Sequence, residues 1–233
     1  MRRSNIAKFL KISLFTITLL FFSGKNILAQ AKNIRFGVFA DPVIGWFSSD
    51  TKETINDGSR AGINFGFTFN RYFGENYSFS TGLSLLNAGG RLTGKDTVEM
   101  VFNNFTTKVA PGDPMIYRIQ YLNIPIGLQF ESNQIGYTRF FTDLGLDAKV
   151  VIEGKVDIPS EEIEKEAAGD ELNMFNIGYH IMGGIEYSLG GKTEMVLGIG
   201  YENNFLDVTS DINNQVTDRI KHKILRFRIG INF

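Results

Sequence analysis

The residues of this chain with the capacity for chemistry are charged side chains spaced two apart. Arg226 and Arg228 alternate with Leu225, Phe227, Ile229, Ile231 and Phe233. A repeat of two is that of an extended strand, so the arginines share one face and the apolar side chains the other. Arg139, Asp143, Asp147 and Lys149 fall on one face of a second stretch and change sign along it. Arg35, Glu186, Glu194 and Glu202 hold the same kind of position in three others. A charge withdrawn from water is costly unless paired. The chemistry these residues support is therefore a cross-strand network of ion pairs and hydrogen bonds. Glu194 and Glu202 are expected one strand from Arg226 and Arg228. Inside a narrow closed sheet such a network is a filling, because little free volume remains.

Other chemistries lack their residues. There is no cysteine, which excludes disulfides, thiolate metal sites, thiol nucleophiles and a lipidated N-terminal cysteine. The two histidines are His180, on the polar face of its stretch, and His222, placed in a loop. Neither has a second histidine or a carboxylate at ligand spacing, so no metal site is expected. No G-x-S-x-G, H-E-x-x-H or phosphate-loop pattern occurs, and no Ser/His or Asp/His set stands out. The chain reads as a non-enzyme with no cofactor. The formal net charge is −1, but residues 1–29 hold five basic residues and no acidic one, so the remainder is near −6. An acidic chain without a Lys/Arg cluster is a poor partner for nucleic acid.

The N-terminus has an export signature. Arg2, Arg3, Lys8 and Lys11 precede the apolar run 12–22, and small residues follow at Ala29 and Ala31. That run is too short for a stop-transfer helix and suits the core of a signal peptide over residues 1–29, with cleavage after Ala29 or Ala31. The rest, 32–233, is read as one domain. It contains no apolar run near the ~20 residues that a membrane helix needs. Any membrane span must then be a strand.

Alternation of period two fills that domain. It appears in residues 34–40, 63–70, 78–86, 121–130, 139–150, 175–189, 194–202 and 223–233, eight stretches in all. One face is large and aromatic; the other is glycine-rich, small and charged. Strands of roughly nine residues or more cross a bilayer at a tilt, and in lipid every backbone polar group needs a partner, so the sheet must close. The fold expected is all-β: an eight-stranded antiparallel up-and-down transmembrane β-barrel. Connections 71–76, 131–136 and 190–192 are short, whereas 49–60, 88–116, 153–171 and 203–222 are long, the alternation of periplasmic turns and outer loops. Residues 159–171 are read as an acidic helical turn capped by Ser160. The terminal face Leu225, Phe227, Ile229, Ile231 and Phe233 has the form of a signal for barrel assembly machinery.

Tyr121-Leu-Asn-Ile-Pro-Ile-Gly-Leu-Gln-Phe130, followed by Asn133-Gln-Ile-Gly-Tyr137, resembles the strand and turn of the PorT-like outer-membrane β-barrel proteins of Bacteroidetes. The resemblance implies a barrel over about 32–233 in the outer membrane, with lipid and the assembly machinery as partners. That family's named member serves type IX secretion and gliding, so envelope or secretion proteins are implied as partners of the outer loops, chiefly 88–116 and 153–171. Pro125 departs from strand rules, because it cannot donate to a ladder; a bulge is the expected accommodation. Two other functions fit the same alternation. One is a narrow pore for ions or small solutes. The other is a soluble lipocalin-like barrel, which would place Leu225, Phe227 and Ile229 inside.

Overall fold

The computed structural model describes residues 34–50, 54–102, 105–169, 171–210 and 219–233. The signal segment 1–29 and both cleavage positions, Ala29 and Ala31, lie outside them. Among the described residues eleven strands form: β1 Ile34–Ser49, β2 Thr54–Tyr72, β3 Tyr77–Gly94, β4 Val98–Val101, β5 Thr106–Val109, β6 Pro114–Glu131, β7 Thr138–Ile158, β8 Ile163–Ala167, β9 Phe175–Gly190, β10 Thr193–Asn204 and β11 Ile220–Asn232. Eight of them run in the order β6-β3-β2-β1-β11-β10-β9-β7, and β7 pairs back to β6. The barrel is closed, antiparallel and eight-stranded. β4 and β5 form a separate hairpin, and β8 adds to the far end of β7.

The strands are longer than their alternation suggested. β7 has 21 residues and β2 has 19, about twice what a tilted crossing needs. Most of the extra length lies at one end, where the longer connections are, and the turn end gains a residue or two per strand. Connection 49–60 is corrected accordingly: β1 runs to Ser49 and β2 starts at Thr54, so the first connection is only 50–53. The extension escapes a lipid-based reading because the polarity of the two faces inverts along the strand. In the turn-side half of β6, Ile124, Ile126, Leu128 and Phe130 are exposed while Gln129 and Glu131 are buried. In its loop-side half, Met115, Tyr117, Ile119 and Tyr121 are buried, and Arg118 and Gln120 face outward.

The outer wall of the turn-side half is an apolar band between two aromatic rings. Trp46, Tyr201, Tyr179 and Phe205 touch in series at the loop-side edge, with centroids 6.2, 6.4 and 5.5 Å apart. Phe73, Tyr77 and Phe130, with Tyr137 and Tyr187, line the turn-side edge. Tyr179 and Tyr187 are eight residues apart on β9, so the rings lie roughly 20 Å apart at ~3.3 Å per residue and a ~40° tilt. This height suits the hydrocarbon layer. Phe227, Ile229 and Ile231 are 38%, 53% and 39% exposed on this wall, and Phe233 follows them at 53%. The lipocalin-like packing, with Phe227 and Ile229 inside, is not the one adopted.

Two local expectations need correction. The acidic turn at 159–171 is not a helix beyond one 3-10 turn, Pro159–Glu161, and Ile158 rather than Ser160 precedes it. Glu162 then takes a left-handed φ of 56°, and the chain returns as β8 beside β7, Ile163 opposite Ile158. Where β9 has left β7, this return supplies the ladder partner that a helix would not. Pro125 sits at no bulge. The β3–β6 register passes from Thr81↔Ile126 to Ser84↔Asn123 without a shift, and the Thr81 hydroxyl donates to the Pro125 carbonyl at 2.9 Å. The irregularity of the β6–β7 ladder falls instead opposite Gln120/Tyr121, where Ile152 is the extra residue of a bulge in β7.

Candidate functional site

Side chains on the inner faces of the eight strands meet in a narrow lumen, and the antiparallel registers set which ones meet. Near the turn end, Arg35 of β1 and Arg139 of β7 converge on three carboxylates. Arg35 Nη1 lies 3.0 Å from Glu131, 2.8 Å from Glu186 and 3.3 Å from Glu194. Arg139 Nη1 lies 3.1, 3.4 and 3.3 Å from the same three. Gln129 donates to Glu131 and Glu186, Asn232 donates to Glu186, and the Tyr72 hydroxyl donates to Glu131. Two guanidiniums thus hold three carboxylates, and neutral donors add hydrogen bonds to Glu131 and Glu186, as buried charge requires.

Midway along the lumen, Arg228 binds Asp41 through Nε at 2.8 and 3.0 Å, with its guanidinium 3.8 Å from the centre of the Phe39 ring. Asp143 accepts from the Ser80 hydroxyl at 3.0 Å and faces His180 Nε2 at 3.4 Å. The other imidazole nitrogen of His180 lies 2.7 Å from Asp147, which also accepts from Asn123 at 3.1 Å. One step further, Glu202 is gripped by both Lys149 and Arg226, and Lys149 also donates to Asn204 at 2.7 Å. Asp147 and Glu202 are fully buried and Lys149 is 1% exposed.

Glycine makes space for these groups. Gly198 and Gly200 stand opposite Arg228 and Arg226 in the β10–β11 register. A Cβ on Gly145 would lie 2.4 Å from the Ile126 carbonyl oxygen, and 2.7 Å from both Gly127 Cα and His180 Cε1. Two of those three contacts are backbone, which cannot swing aside. Gly145→Ala is expected to cost about 1–3 kcal/mol of barrel stability through overpacking. Urea unfolding in lipid vesicles measures it, and an unchanged midpoint would show that the wall yields freely at this point.

Above the charged half the lumen is apolar. Val43, Phe47, Leu86, Leu92, Met115, Tyr117, Ile119, Val156, Ile158 and Ile224 point inward and are buried. Loop residues Met100, Phe102 and Val109 of the β4–β5 segment, with Ala168, Leu172 and Val208, close over them in the same cluster. Tyr121 marks the boundary. Its ring is wholly buried, its hydroxyl is 3.2 Å from His222 Nδ1, and Lys149 Nζ lies 5.7 Å from its centre.

All ten lumen residues expected from the alternation face the interior: Arg35, Arg139, Asp143, Asp147, Lys149, Glu186, Glu194, Glu202, Arg226 and Arg228. Their partners differ in part from expectation. Glu194 stands opposite Asn232, too near the turn end for Arg226 or Arg228, and reaches Arg35 and Arg139 instead. Arg228 takes Asp41 across the closure of the barrel. His222 is in β11 inside the lumen, not in a loop, and His180 does have carboxylate neighbours. Asp41 and Glu131 escaped notice, although each lies one further step along an alternation already seen: Arg35, Gly37, Phe39, Asp41, and Gly127, Gln129, Glu131. Among the described residues, no group of three His, Asp or Glu side chains has the arrangement of a metal site. Ser80 hydrogen-bonds a carboxylate rather than the imidazole, so Ser80, His180 and Asp147 do not form a nucleophile–base pair. The arrangement pairs its charges with one another across the lumen.

The family model for the outer membrane protein beta-barrel domain matches residues 28–210. No curated protein is significantly similar in sequence. Similar solved structures include Neisserial surface protein A, at 13% identity and a TM-score of 0.44 over 84% of this chain and 95% of that one. OprG from Pseudomonas aeruginosa has 15% identity and a TM-score of 0.39 over 85% and 93%. The outer membrane protease OmpT from Escherichia coli has 8% identity and a TM-score of 0.41 over 88% and 97%.

Proposed function

Because the chain belongs to the outer membrane protein beta-barrel domain family, we propose that it is a sealed outer-membrane scaffold that works through its loops, accessory to protein secretion or envelope integrity. The observation that carries this reading is the double closure of the lumen. Paired charges fill the turn-side half, and an apolar plug capped by loop residues fills the other. Eight strands enclose little more than their own side chains, so nothing is left to conduct. The described loop residues Met100, Phe102, Val109, Ala168, Leu172 and Val208 cap a barrel that projects beyond its aromatic ring, which favours the loop end as a contact surface. In this reading residues 1–29 direct export, 32–233 form the barrel, the short turns face the periplasm, and Leu225, Phe227, Ile229, Ile231 and Phe233 are read by the assembly machinery. The similarity of Tyr121–Phe130 to the PorT-like strand favours type IX secretion as the setting.

Conductance in a planar bilayer tests the reading. The purified full chain is expected to give no steady openings at any holding potential that the bilayer tolerates. Reproducible ion-scale steps would overturn the scaffold in favour of the narrow pore.

A further inference from the structure

A cleft of about 410 Å³ opens at the loop end between β1, β2 and β11, lined by Trp46, Ser48, Thr54, Asn56, Lys95 and Lys223. That volume falls within the ~300–1,000 Å³ usual for small-ligand sites. Trp46 and Lys223 are register partners across β1 and β11. Their strand neighbours Phe47 and His222 are buried inside the barrel, so Trp46 and Lys223 project from its outer wall. Trp46 also belongs to the loop-side aromatic ring, 6.2 Å from Tyr201. The floor of the cleft therefore lies where the hydrocarbon layer gives way to headgroups, the level at which amphipathic aromatic side chains settle.

Among the described residues, the lining of the cleft holds two lysines and no carboxylate. Lys221 pairs with Asp50 at 3.1 Å, Lys155 with Glu153 at 2.6 Å and Lys149 with Glu202. Among the described residues, neither Lys95 nor Lys223 has a carboxylate partner. Two ammonium groups facing one cavity attract an anion, and at this height the anions of a membrane are lipid phosphates. The flat indole face of Trp46 offers apolar contact to the C–H side of a sugar ring, and Ser48 and Asn56 offer hydrogen bonds to hydroxyls.

We propose that this cleft binds the phosphate-bearing sugar headgroup of an outer-leaflet lipid. The inference rests on the membrane placement argued above. Flotation of the wild-type chain with plain phosphatidylcholine vesicles tests that placement separately, so the two can fail independently.

Trp46 is the single tryptophan of the chain, so its fluorescence reports on the cleft directly. The full chain in phosphatidylcholine nanodiscs is titrated with lipid A, with its dephosphorylated form and with soluble glucosamine phosphate. A saturable spectral change with lipid A alone is expected. In the double variant Lys95→Ala/Lys223→Ala the midpoint should weaken about tenfold or more, at about tenfold per 1.4 kcal/mol and about 1 kcal/mol per basic residue. Lys221→Ala, outside the cleft, should match wild type. Gel mobility of unheated samples verifies that each variant is folded. An equal response in the double variant, or none in wild type, overturns the proposal. An equal response to soluble glucosamine phosphate overturns the lipid source.

Discussion

Glu202→Gln is expected to lower the unfolding free energy of the barrel by about 3–5 kcal/mol, the range for breaking a buried ion pair from one side. Glu202 is fully buried and is the shared counter-charge of Lys149 and Arg226. The amide keeps the shape and removes the charge. Lys149 and Arg226 would then face each other with only Asp147 nearby, and Asp147 is already committed to His180 and Asn123. The cost lies in the stranded cations rather than in the lost bonds. The triple replacement Lys149→Met, Glu202→Met, Arg226→Met is therefore expected to recover most of the loss, since apolar filling of similar volume often matches a buried ionic cluster. Asp50→Asn, which breaks the exposed Lys221 pair, should cost no more than about 1 kcal/mol. Urea unfolding in lipid vesicles, followed by gel mobility without heating, ranks the three. A Glu202→Gln barrel as stable as wild type would show that the lumen is wet enough to screen its charges.

The same cluster shows what sequence alone can and cannot reveal. Along 139–150 and 175–189, lipid demands an apolar side chain outward at every second position, so strands and faces are plain. Arg226 and Arg228 sit in phase with that demand, and their inward direction follows. Their partners do not. Glu202 meets Arg226 because Gly200 stands opposite it in the β10–β11 hairpin, a local register that spacing nearly supplies. Asp41 meets Arg228 only because β1 and β11 join to close the barrel, a contact that no single strand pattern contains. The loop-side halves were illegible for another reason. Outside the bilayer, water replaces lipid on the outer wall, so Arg118 points out while Tyr117 and Ile119 point in. In β6 parity is unchanged and polarity is reversed. A reading tuned to lipid takes that for the end of the strand, which is why His222, between two lysines that face outward, looked like a loop residue.

Tyr121 stands at this reversal, and its loss should have the second large effect. Its ring is wholly buried, with Leu86 opposite it on β3 and Val151 on β7. Above it is the apolar plug; below it is Lys149, whose ammonium approaches the ring face. Tyr121→Ala removes the whole ring, and the closed wall cannot collapse to fill the space, because its diameter is set by strand number and stagger. A cost of about 3–5 kcal/mol is expected, as for other buried aromatic truncations. Tyr121→Phe removes only the hydroxyl contact with His222 and should cost about 1 kcal/mol. The gap between the two separates packing from hydrogen bonding at this level. Conductance should remain absent in both, because the Arg35–Arg139 cluster at the turn end still closes the lumen. Steady openings in Tyr121→Ala alone would show that the apolar plug is the only seal and that the charged half already passes ions.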